Sequence, residues 1–297
     1  MNSILKNLLN PVKIIRALIF QKRQKKYKRS KSDLELTLYS RILKNDMLHY
    51  GYFEDTETKP EDISINDFEN AQVKYCECIL NKITNKSEPI LDVGCGMGGL
   101  AAFLTQHGCN VDVLTPNEKQ IEYIRDKHSN LLYYNTKFED LICDKKYGTV
   151  ITAESLCYIN LEKAFLKTEA LLSSEGQWII SDFFSVNNDL PGKKPGVSWD
   201  GFLLKVKEHN LELVSHQDIT GNILPLLKLL DLYVKRFANP LVDYLENKLL
   251  VKQPWLYFIT DDFRVSAKKK MAKETATIDP EKFIKDRRYM LVVLKKP

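Results

Sequence analysis

Residues 90–100 of this chain read ILDVGCGMGGL, a short apolar run that breaks into closely spaced glycines and then becomes apolar again. The pattern predicts a strand, a tight turn and a helix. The glycines carry no Cβ where the backbone must bend sharply and approach a ligand, and the helix presents unpaired amide hydrogens at its start. The stretch therefore predicts a nucleoside cofactor site. No lysine of the phosphate-binding kind follows, which leaves another nucleotide or a purely structural turn as the alternatives.

From residue 89 onward, apolar runs alternate with amphipathic stretches, which predicts an α/β fold with a parallel sheet. Strands are expected near 89–93, 110–114, 131–134, 148–153, 177–182 and 211–218, and the apolar run 289–294 predicts a last strand. The segment between the sixth and seventh strands is longer than an ordinary connection. Its apolar series predicts a helical insertion over 222–286.

The first 31 residues carry ten Lys or Arg and no acid, whereas the remaining chain has 34 bases and 39 acids. Apolar residues at nearly helical spacing predict a basic amphipathic helix that suits an anionic membrane surface. The basic residues interrupt it too often for it to span a bilayer. Packing on the protein's own surface, nucleic-acid binding and a targeting extension are the alternatives.

Residues 32–297 are expected to form one domain, because 297 residues with 44% hydrophobic and 28% charged side chains suit a folded chain. Helices predicted at 33–48 and 66–84 lie within an N-terminal lid, 32–87, that would roof the substrate cavity together with the insertion. Six scattered cysteines without a CxxC pair predict neither a zinc site nor disulfides. We expect no metal and a cytoplasmic protein, attached at most peripherally to the inner face of a membrane. The oligomeric state stays open.

The run hydrophobic-Leu-Asp-Val-Gly-Cys-Gly-Met-Gly resembles the first motif of the class I S-adenosylmethionine (SAM)-dependent methyltransferases. The resemblance implies a Rossmann-like, seven-stranded, mostly parallel sheet flanked by helices, with the last strand antiparallel. It also implies SAM as cofactor, with Asp92 facing the methionine end. The residues expected beneath the cofactor are Gly94, Cys95, Gly96 and Gly98.

The ends of the second and third strands are the next candidates, because ligands of such sheets gather at the carboxyl ends of strands. Most class I enzymes place a carboxylate after the second strand, but here Leu114 is followed by Thr115. The pattern Thr-x-Asn-x-x-Gln, ending at Gln120, is similar to that of cyclopropane synthases and terpene and sterol C-methyltransferases, where Thr and Gln face the adenosine. After the third strand, relatives usually place an acid where Lys137 falls, to accept from the adenine amino group. The resemblance implies that Phe138 walls the adenine and that Glu139 or Asp140 supplies the acceptor; a solvated helix start is the alternative.

The fourth strand ends at Ala153 with a carboxylate, Glu154, and the segment resembles the Glu-Ser-x-x-Tyr-Val sequence of geranyl diphosphate C-methyltransferases. Ala153 is expected at the cofactor. The resemblance implies that Glu154 stabilises a carbocation or removes a proton, with Tyr158 lining the pocket. For an amine substrate, Glu154 would bind or deprotonate an ammonium. The structural alternative is a Glu154 side chain bonded to backbone amides of the cofactor loop.

The segment from Leu48 to Glu54 resembles the His-Tyr-Gly-Tyr-Trp entrance of small-molecule and lipid-like methyltransferases. That resemblance implies that Tyr50 or Tyr52 reaches the SAM carboxylate over the active site. His49 is a candidate proton acceptor, with packing beside the tyrosines as the alternative.

These patterns together predict a SAM-dependent methyltransferase acting on a small, largely apolar acceptor of isoprenoid, sterol-like or lipid-like character. Carbon is the favoured acceptor atom, with nitrogen or oxygen as alternatives. A SAM-binding, membrane-attached protein without turnover is the non-enzymatic alternative. Nucleic acid is not expected, because neither a basic cofactor pocket nor a base-holding motif is found.

Overall fold

The protein is described by a computed structural model over residues 10–28, 41–186 and 197–297, with the side chains of the first helix described as far as residue 22. Two predictions therefore fall partly outside the described residues. These are the ends of the basic segment, residues 1–9 and 29–31, and most of the first lid helix, residues 33–40.

Seven strands form a single sheet in the order β3-β2-β1-β4-β5-β7-β6. The strands are β1 Ile90–Val93, β2 Val111–Leu114, β3 Leu132–Tyr134, β4 Tyr147–Ala153, β5 Leu172–Ser185, β6 Glu212–Asp218 and β7 Arg287–Lys295. The pairs among β1 to β5 are parallel, whereas β7 runs antiparallel between β5 and β6. The predicted Rossmann-like, mostly parallel sheet is confirmed.

Eleven α-helices connect these strands or precede them in the described residues. They are α1 Pro11–Lys28, α2 Ile65–Leu80, α3 Gly99–Gln106, α4 Glu118–Lys127, α5 Leu161–Leu171, α6 Trp199–Glu208, α7 Thr220–Tyr233, α8 Asn239–Lys252, α9 Pro254–Ile259, α10 Asp261–Thr275 and α11 Pro280–Asp286. The model thus has helices on both faces of the sheet, as a doubly wound fold requires.

The two faces of the sheet pack into separate apolar cores. One core joins α2, α3, α7 and α11 to the sheet, and the other joins α5 and α6. Ile90 belongs to the first core, while Leu91 and Val93 belong to the second, because side chains alternate across a strand. The same alternation directs Asp92 toward the α2 and α3 face.

The segment before α2 differs from the prediction. Its described part is helical only at Arg41 and Ile42, so the predicted helix over 33–48 is wrong beyond that point. Asp46 adopts a left-handed φ of 57° and accepts hydrogen bonds from Tyr123 and Lys127 of α4. These contacts outweigh local helix propensity, which is a weak determinant compared with tertiary packing.

Helices α7–α11 lie between β6 and β7, where the helical insertion is predicted, and α7 begins two residues before the expected boundary. Its first helix is tied to the segment before α2, because Phe53 N–H donates to Asn222 O at 2.9 Å and Asn222 Nδ2 donates back to Phe53 O at 2.8 Å. By contrast, no residue of α8, α9 or α10 is buried.

Helix α1 exposes every residue from 11 to 22, so this stretch does not pack on the protein's own surface. Apolar and basic side chains are only partly separated around it, since Lys22 lies one turn from Leu18 and Ile19. Within the described residues, no helix is both long enough and apolar enough to cross a membrane.

Candidate active site

The turn after β1 has the conformation that only glycine adopts without strain. Gly94, Gly96 and Gly98 have φ values of 77°, 57° and 86°. A Cβ on Gly94 would lie 2.4 Å from the Cβ of Ser155, whose hydroxyl donates to Val93 O at 2.6 Å. The ends of β1 and β4 are therefore in direct contact.

Substitution of Gly94 by alanine should cost more stability than the same change at Gly108. Gly108 has a similar φ of 85° but nothing within 4 Å of an added Cβ, so it isolates backbone strain, about 1–2 kcal/mol. Gly94→Ala adds overpacking of about 1–3 kcal/mol. Urea unfolding of both variants measures the difference. Equal losses would contradict the tight contact with Ser155.

Asp92 is buried beside this turn and lacks a complete set of partners. Its Oδ2 makes no hydrogen bond to the described residues, and desolvation raises its pKa to about 7. A buried carboxylate oxygen without a donor is costly unless a ligand supplies one. The position therefore suits the cationic end of a ligand that lies on the glycine turn.

The end of β2 brings Thr115 and Gln120 together. Thr115 Oγ1 donates to Gln120 Oε1 at 2.7 Å and accepts from Asn117 N–H at 3.2 Å. Asn117 caps α4 through its own side chain. Leu114 O accepts from Gly94 N–H at 2.8 Å, which joins this strand end to the glycine turn.

The third strand end offers less to a ligand. Phe138 is buried in the core beneath α5 and α6. Glu139 Oε1 accepts from Asn160 N–H at 3.4 Å, at the start of α5, and Asp140 is exposed. These contacts are those of a helix-start loop, and they leave the adenine role of Phe138 and Glu139 as a prediction.

Glu154 lies at the end of β4 in a left-handed conformation, with φ of 53°. Its Oε1 accepts from Tyr50 N–H at 2.9 Å and from Tyr289 Oη at 2.7 Å. Burial raises the pKa of its carboxyl to about 8, against the opposing effect of these two bonds. The backbone amide that donates to Glu154 belongs to Tyr50, in the segment before α2. Within the described residues, no amide of the glycine turn donates to the Glu154 carboxyl group.

The entrance segment, residues 45–53, covers the glycine turn. Leu48 Cδ1 lies 3.0 Å from the place of a Cβ on Gly96. Gln72 Nε2, on α2, donates to Met47 O and His49 O, each at 2.9 Å. The segment is thereby fastened to α2 as well as to α4, and its Leu48 lies over Gly96, whereas Gly94 stays exposed.

His49 is packed within the protein. Its ring stacks on Tyr75 with centroids 4.3 Å apart, and desolvation lowers its pKa to about 3. Such an imidazole is neutral and a weak base at physiological pH. The packing alternative fits His49 better than proton transfer does.

The aromatic residues of the motifs take different places. Tyr50 presents its ring edge-on to Tyr289 at 6.1 Å. Tyr52 lies near Gln217 of β6, and its amide donates to Ala71 O. Tyr158 is 86% exposed, which contradicts its expected place in the pocket lining. The short 3-10 turn that carries it directs its ring outward.

Cys95 and Ala153 act as small residues at the strand ends. Burial raises the pKa of the Cys95 thiol well above its usual range, which disfavours a thiolate nucleophile. Ala153 pairs with Ser181 of β5. Among the residues that the structure describes, no cluster of three or more His, Cys, Asp and Glu could hold a metal ion.

Sequence analysis missed two polar groups near Glu154. Tyr289 of β7 is buried against it, and Asp182 of β5 accepts from Cys157 N–H at 3.2 Å and Phe183 N–H at 2.8 Å. Burial raises the pKa of Asp182 to about 6. Asp182 could have been found as an acid near the carboxyl end of the predicted fifth strand. The continuous apolar run of β7, in which Tyr289 is the first buried residue, was a fainter signal.

The sheet order, the glycine turn after β1 and the insertion before an antiparallel β7 define the fold of the class I SAM-dependent methyltransferases. The chain carries a methyltransferase domain, since residues 90–176 match the family model of that description.

Curated relatives match only part of the chain. A (S)-tetrahydroprotoberberine N-methyltransferase from Eschscholzia californica is 28% identical over 138 residues, covering 43% of this chain and 38% of the relative. A ubiquinone biosynthesis O-methyltransferase from Rickettsia felis is 31% identical over 115 residues, covering 35% of this chain and 47% of the relative. The chain thus spans less than half the length of these relatives.

Solved structures share the fold over most of the chain. A geranyl diphosphate methyltransferase in complex with GPP and sinefungin has a TM-score of 0.66 at 14% identity, covering 90% of this chain and 96% of that one. A coclaurine N-methyltransferase has a TM-score of 0.59 at 14% identity, covering 90% and 80%. At such low identity, these likenesses establish the fold alone.

Proposed function

We propose that this protein is a SAM-dependent methyltransferase that acts on a small, largely apolar acceptor, with carbon as the favoured acceptor atom. The observation that carries the proposal is Asp92, a buried carboxylate with an unpartnered oxygen, beside three left-handed glycines in a methyltransferase domain.

The residues around the glycine turn fit SAM. Asp92 would accept from its amino group, while Thr115 and Gln120 would face its adenosine. SAM supplies a methyl group that the sulfonium already activates, so the protein's task is alignment and exclusion of water. Leu48 of the entrance segment, which lies over Gly96, would contribute to the second task.

The surroundings of Glu154 suit an acceptor that becomes positively charged. The aromatic rings of Tyr50 and Tyr289 lie beside a buried carboxyl group. Aromatic faces and an anion stabilise positive charge, and the carboxylate can then accept a proton. The structural likeness to geranyl diphosphate methyltransferases supports an isoprenoid-like acceptor.

A small amine is the second candidate acceptor. The same buried Glu154 would accept a proton from an ammonium, and one curated relative is an N-methyltransferase. The similarity to ubiquinone biosynthesis O-methyltransferases supports an oxygen atom as the methyl acceptor. A SAM-binding protein without turnover would show cofactor binding and no transfer to any of these acceptors.

Calorimetric titration with S-adenosylhomocysteine (SAH), the product of SAM, tests the cofactor site without knowledge of the acceptor. We expect micromolar binding. Labelled SAM then reports transfer to a panel of isoprenoid, lipid and amine acceptors. Failure to bind SAH, together with no transfer to the panel, would reject the proposal.

We also propose that α1 attaches the protein to an anionic membrane surface. Its described side chains are exposed, including Ile15 and Leu18, and the first 31 residues contain ten bases and no acid. Each base near an anionic surface contributes about 1 kcal/mol at low salt, and exposed apolar residues add burial in the interface.

Deletion of residues 1–31 is expected to release the protein from vesicles of phosphatidylglycerol and phosphatidylcholine while SAH binding is retained. Cosedimentation measures the first and calorimetry the second. The double variant Ile15→Gln with Leu18→Gln keeps all ten bases, adds no charge and isolates the apolar contribution. Vesicle binding that survives the deletion would reject the role of α1.

A further inference from the structure

Two buried tyrosines lie in line with Glu154. Tyr289 Oη donates to Glu154 Oε1 at 2.7 Å, and Tyr75 Oη lies 3.1 Å from Tyr289 Oη. A phenol has one hydrogen to donate, and that of Tyr289 is directed to the carboxyl group. The hydrogen between the two phenols therefore comes from Tyr75. The three groups form a directed chain of donors that ends on Glu154.

The three hydrogen-bonded groups lie on separate elements of the fold, which hold them rigidly. Tyr75 belongs to α2 and Tyr289 to β7, and both side chains are essentially inaccessible to solvent. Tyr289 N–H donates to Thr220 Oγ1 at 2.8 Å, and its carbonyl accepts from Ile219 N–H at 2.8 Å. The stacked ring of His49 fixes the other phenol. Buried hydrogen bonds polarise one another in a low dielectric, so this chain is stronger than exposed bonds would be.

The two carboxylate oxygens of Glu154 have different hydrogen-bond partners. Within the described residues, both hydrogen bonds to this carboxyl end on Oε1, one from Tyr289 and one from the amide of Tyr50. Oε2 is therefore the oxygen that remains for an acceptor. The left-handed backbone of Glu154 supports a functional constraint, since this conformation costs a non-glycine residue energy.

We propose that Tyr289, supported by Tyr75, is a positioning residue for Glu154, which anchors Oε1 so that Oε2 takes the proton released after methyl transfer. The inference rests on the proposed methyl transfer. The proton moves from the methylated acceptor to Oε2, and the electrons of the broken bond stay on the acceptor. Tyr289 itself neither gains nor loses a proton.

Several titratable groups surround this carboxyl group, and they act in opposite directions. The groups that face it are Tyr75 of α2, Cys157 after β4, Asp182 of β5 and Tyr289 of β7. Burial dominates and raises the pKa of Glu154, to which the charge of Asp182 adds. The bonds from Tyr289 and from the amide of Tyr50 lower it. Loss of the Tyr289 hydroxyl should therefore move this pKa upward.

Carbon-13 NMR titration of protein labelled at its Glu carboxyl carbons tests the inference without substrate, with the signal assigned by its absence in Glu154→Gln. Tyr289→Phe is expected to raise the pKa of Glu154 by about one unit, and Tyr75→Phe by less. Tyr147→Phe is the matched control, because Tyr147 donates to the buried carboxyl of Asp112 at 2.8 Å on the other face of the sheet. An unchanged pKa in folded Tyr289→Phe would overturn the proposal.

Turnover provides the second readout. Tyr289→Phe should shift the rising limb of the pH–rate profile to higher pH by as much as it raises the pKa of Glu154, with KM for SAM little changed. Tyr75→Phe should shift the limb less. If the wild type is active and the pH–rate profile of Tyr289→Phe superimposes on the wild-type profile, the positioning role of Tyr289 is rejected and the proposed function is not. A wild-type protein that methylates no acceptor contradicts the proposed function, and the NMR shift then still decides whether Tyr289 controls Glu154.

Discussion

Replacing Asp92 by asparagine is expected to weaken SAH binding by about 10- to 100-fold, the loss that follows removal of a charged hydrogen-bond partner. The substitution keeps the side-chain volume and removes the negative charge that the unpartnered Oδ2 offers to a cationic group. Calorimetric titration of the variant with SAH gives the affinity directly. Unchanged affinity would reject the assignment of Asp92 to the cofactor.

The same variant should resist unfolding better than the wild type at pH 8 in the absence of ligand. The pKa of Asp92 is raised from 3.8 to about 7, so the folded protein binds the proton more tightly than the unfolded chain does. Stability is therefore lost as pH rises through this window, and asparagine does not suffer that loss. Thermal unfolding at pH 5 and pH 8 should show the difference growing with pH.

Asp112→Asn is the matched control for Asp92→Asn. Asp112 is equally buried, but it is paired with Lys145 at 2.6 Å and Tyr147 at 2.8 Å. Removal of one partner from a buried pair destabilises a protein, so this variant should unfold more easily and bind SAH as the wild type does. Opposite effects of the two substitutions on stability would distinguish a ligand-binding carboxylate from a structural one.

Glu154→Gln is expected to lower turnover by about 100- to 10,000-fold, the range for loss of a general base, with SAH affinity nearly unchanged. Glutamine keeps an oxygen for the Tyr50 amide and the Tyr289 hydroxyl, so the site should retain its shape. Wild-type turnover should rise with pH through about 8, because Glu154 must lose its proton to accept another. The variant's residual rate should lack this rise.

Steady-state kinetics with an acceptor from the panel, together with SAH titration, measures both effects of Glu154→Gln. Glu162→Gln provides the control, since Glu162 pairs with Lys205 at the protein surface. Equal losses of turnover and SAH affinity in Glu154→Gln would show that this residue has a structural role in the site. A normal turnover rate would show that Glu154 takes no part in the reaction.

The local parts of the fold were readable from sequence because their causes are local. The glycines after β1 and the alternation of strands with helices both depend on neighbouring residues. The predicted helix over 33–48 failed for the opposite reason. Asp46 is drawn into contact with Tyr123 and Lys127, residues about eighty positions away, and no periodicity in the segment reveals that attraction.

Some residues of the candidate site could likewise be predicted from local sequence, and others could not. Asp92, Thr115 and Glu154 follow predicted strands, so the rule for parallel sheets places them at one edge. The partner of Glu154 lies 135 residues further along the chain, on a strand that the long insertion separates from the rest. Sequence patterns also placed Tyr158 in the pocket, whereas the turn that carries it exposes its ring.

Sequence alone was sufficient for the mostly parallel sheet, the glycine turn and the strand-end positions of Asp92 and Glu154, because backbone conformation and side-chain alternation follow from nearest neighbours. Only the tertiary structure decided which carboxylate oxygen has a donor and which lacks one. That outcome depends on burial and on groups brought together from distant segments. Among the described residues, Asp92 has no donor for Oδ2, whereas Glu154 has two donors on Oε1. Desolvation in such an interior raises both pKa values.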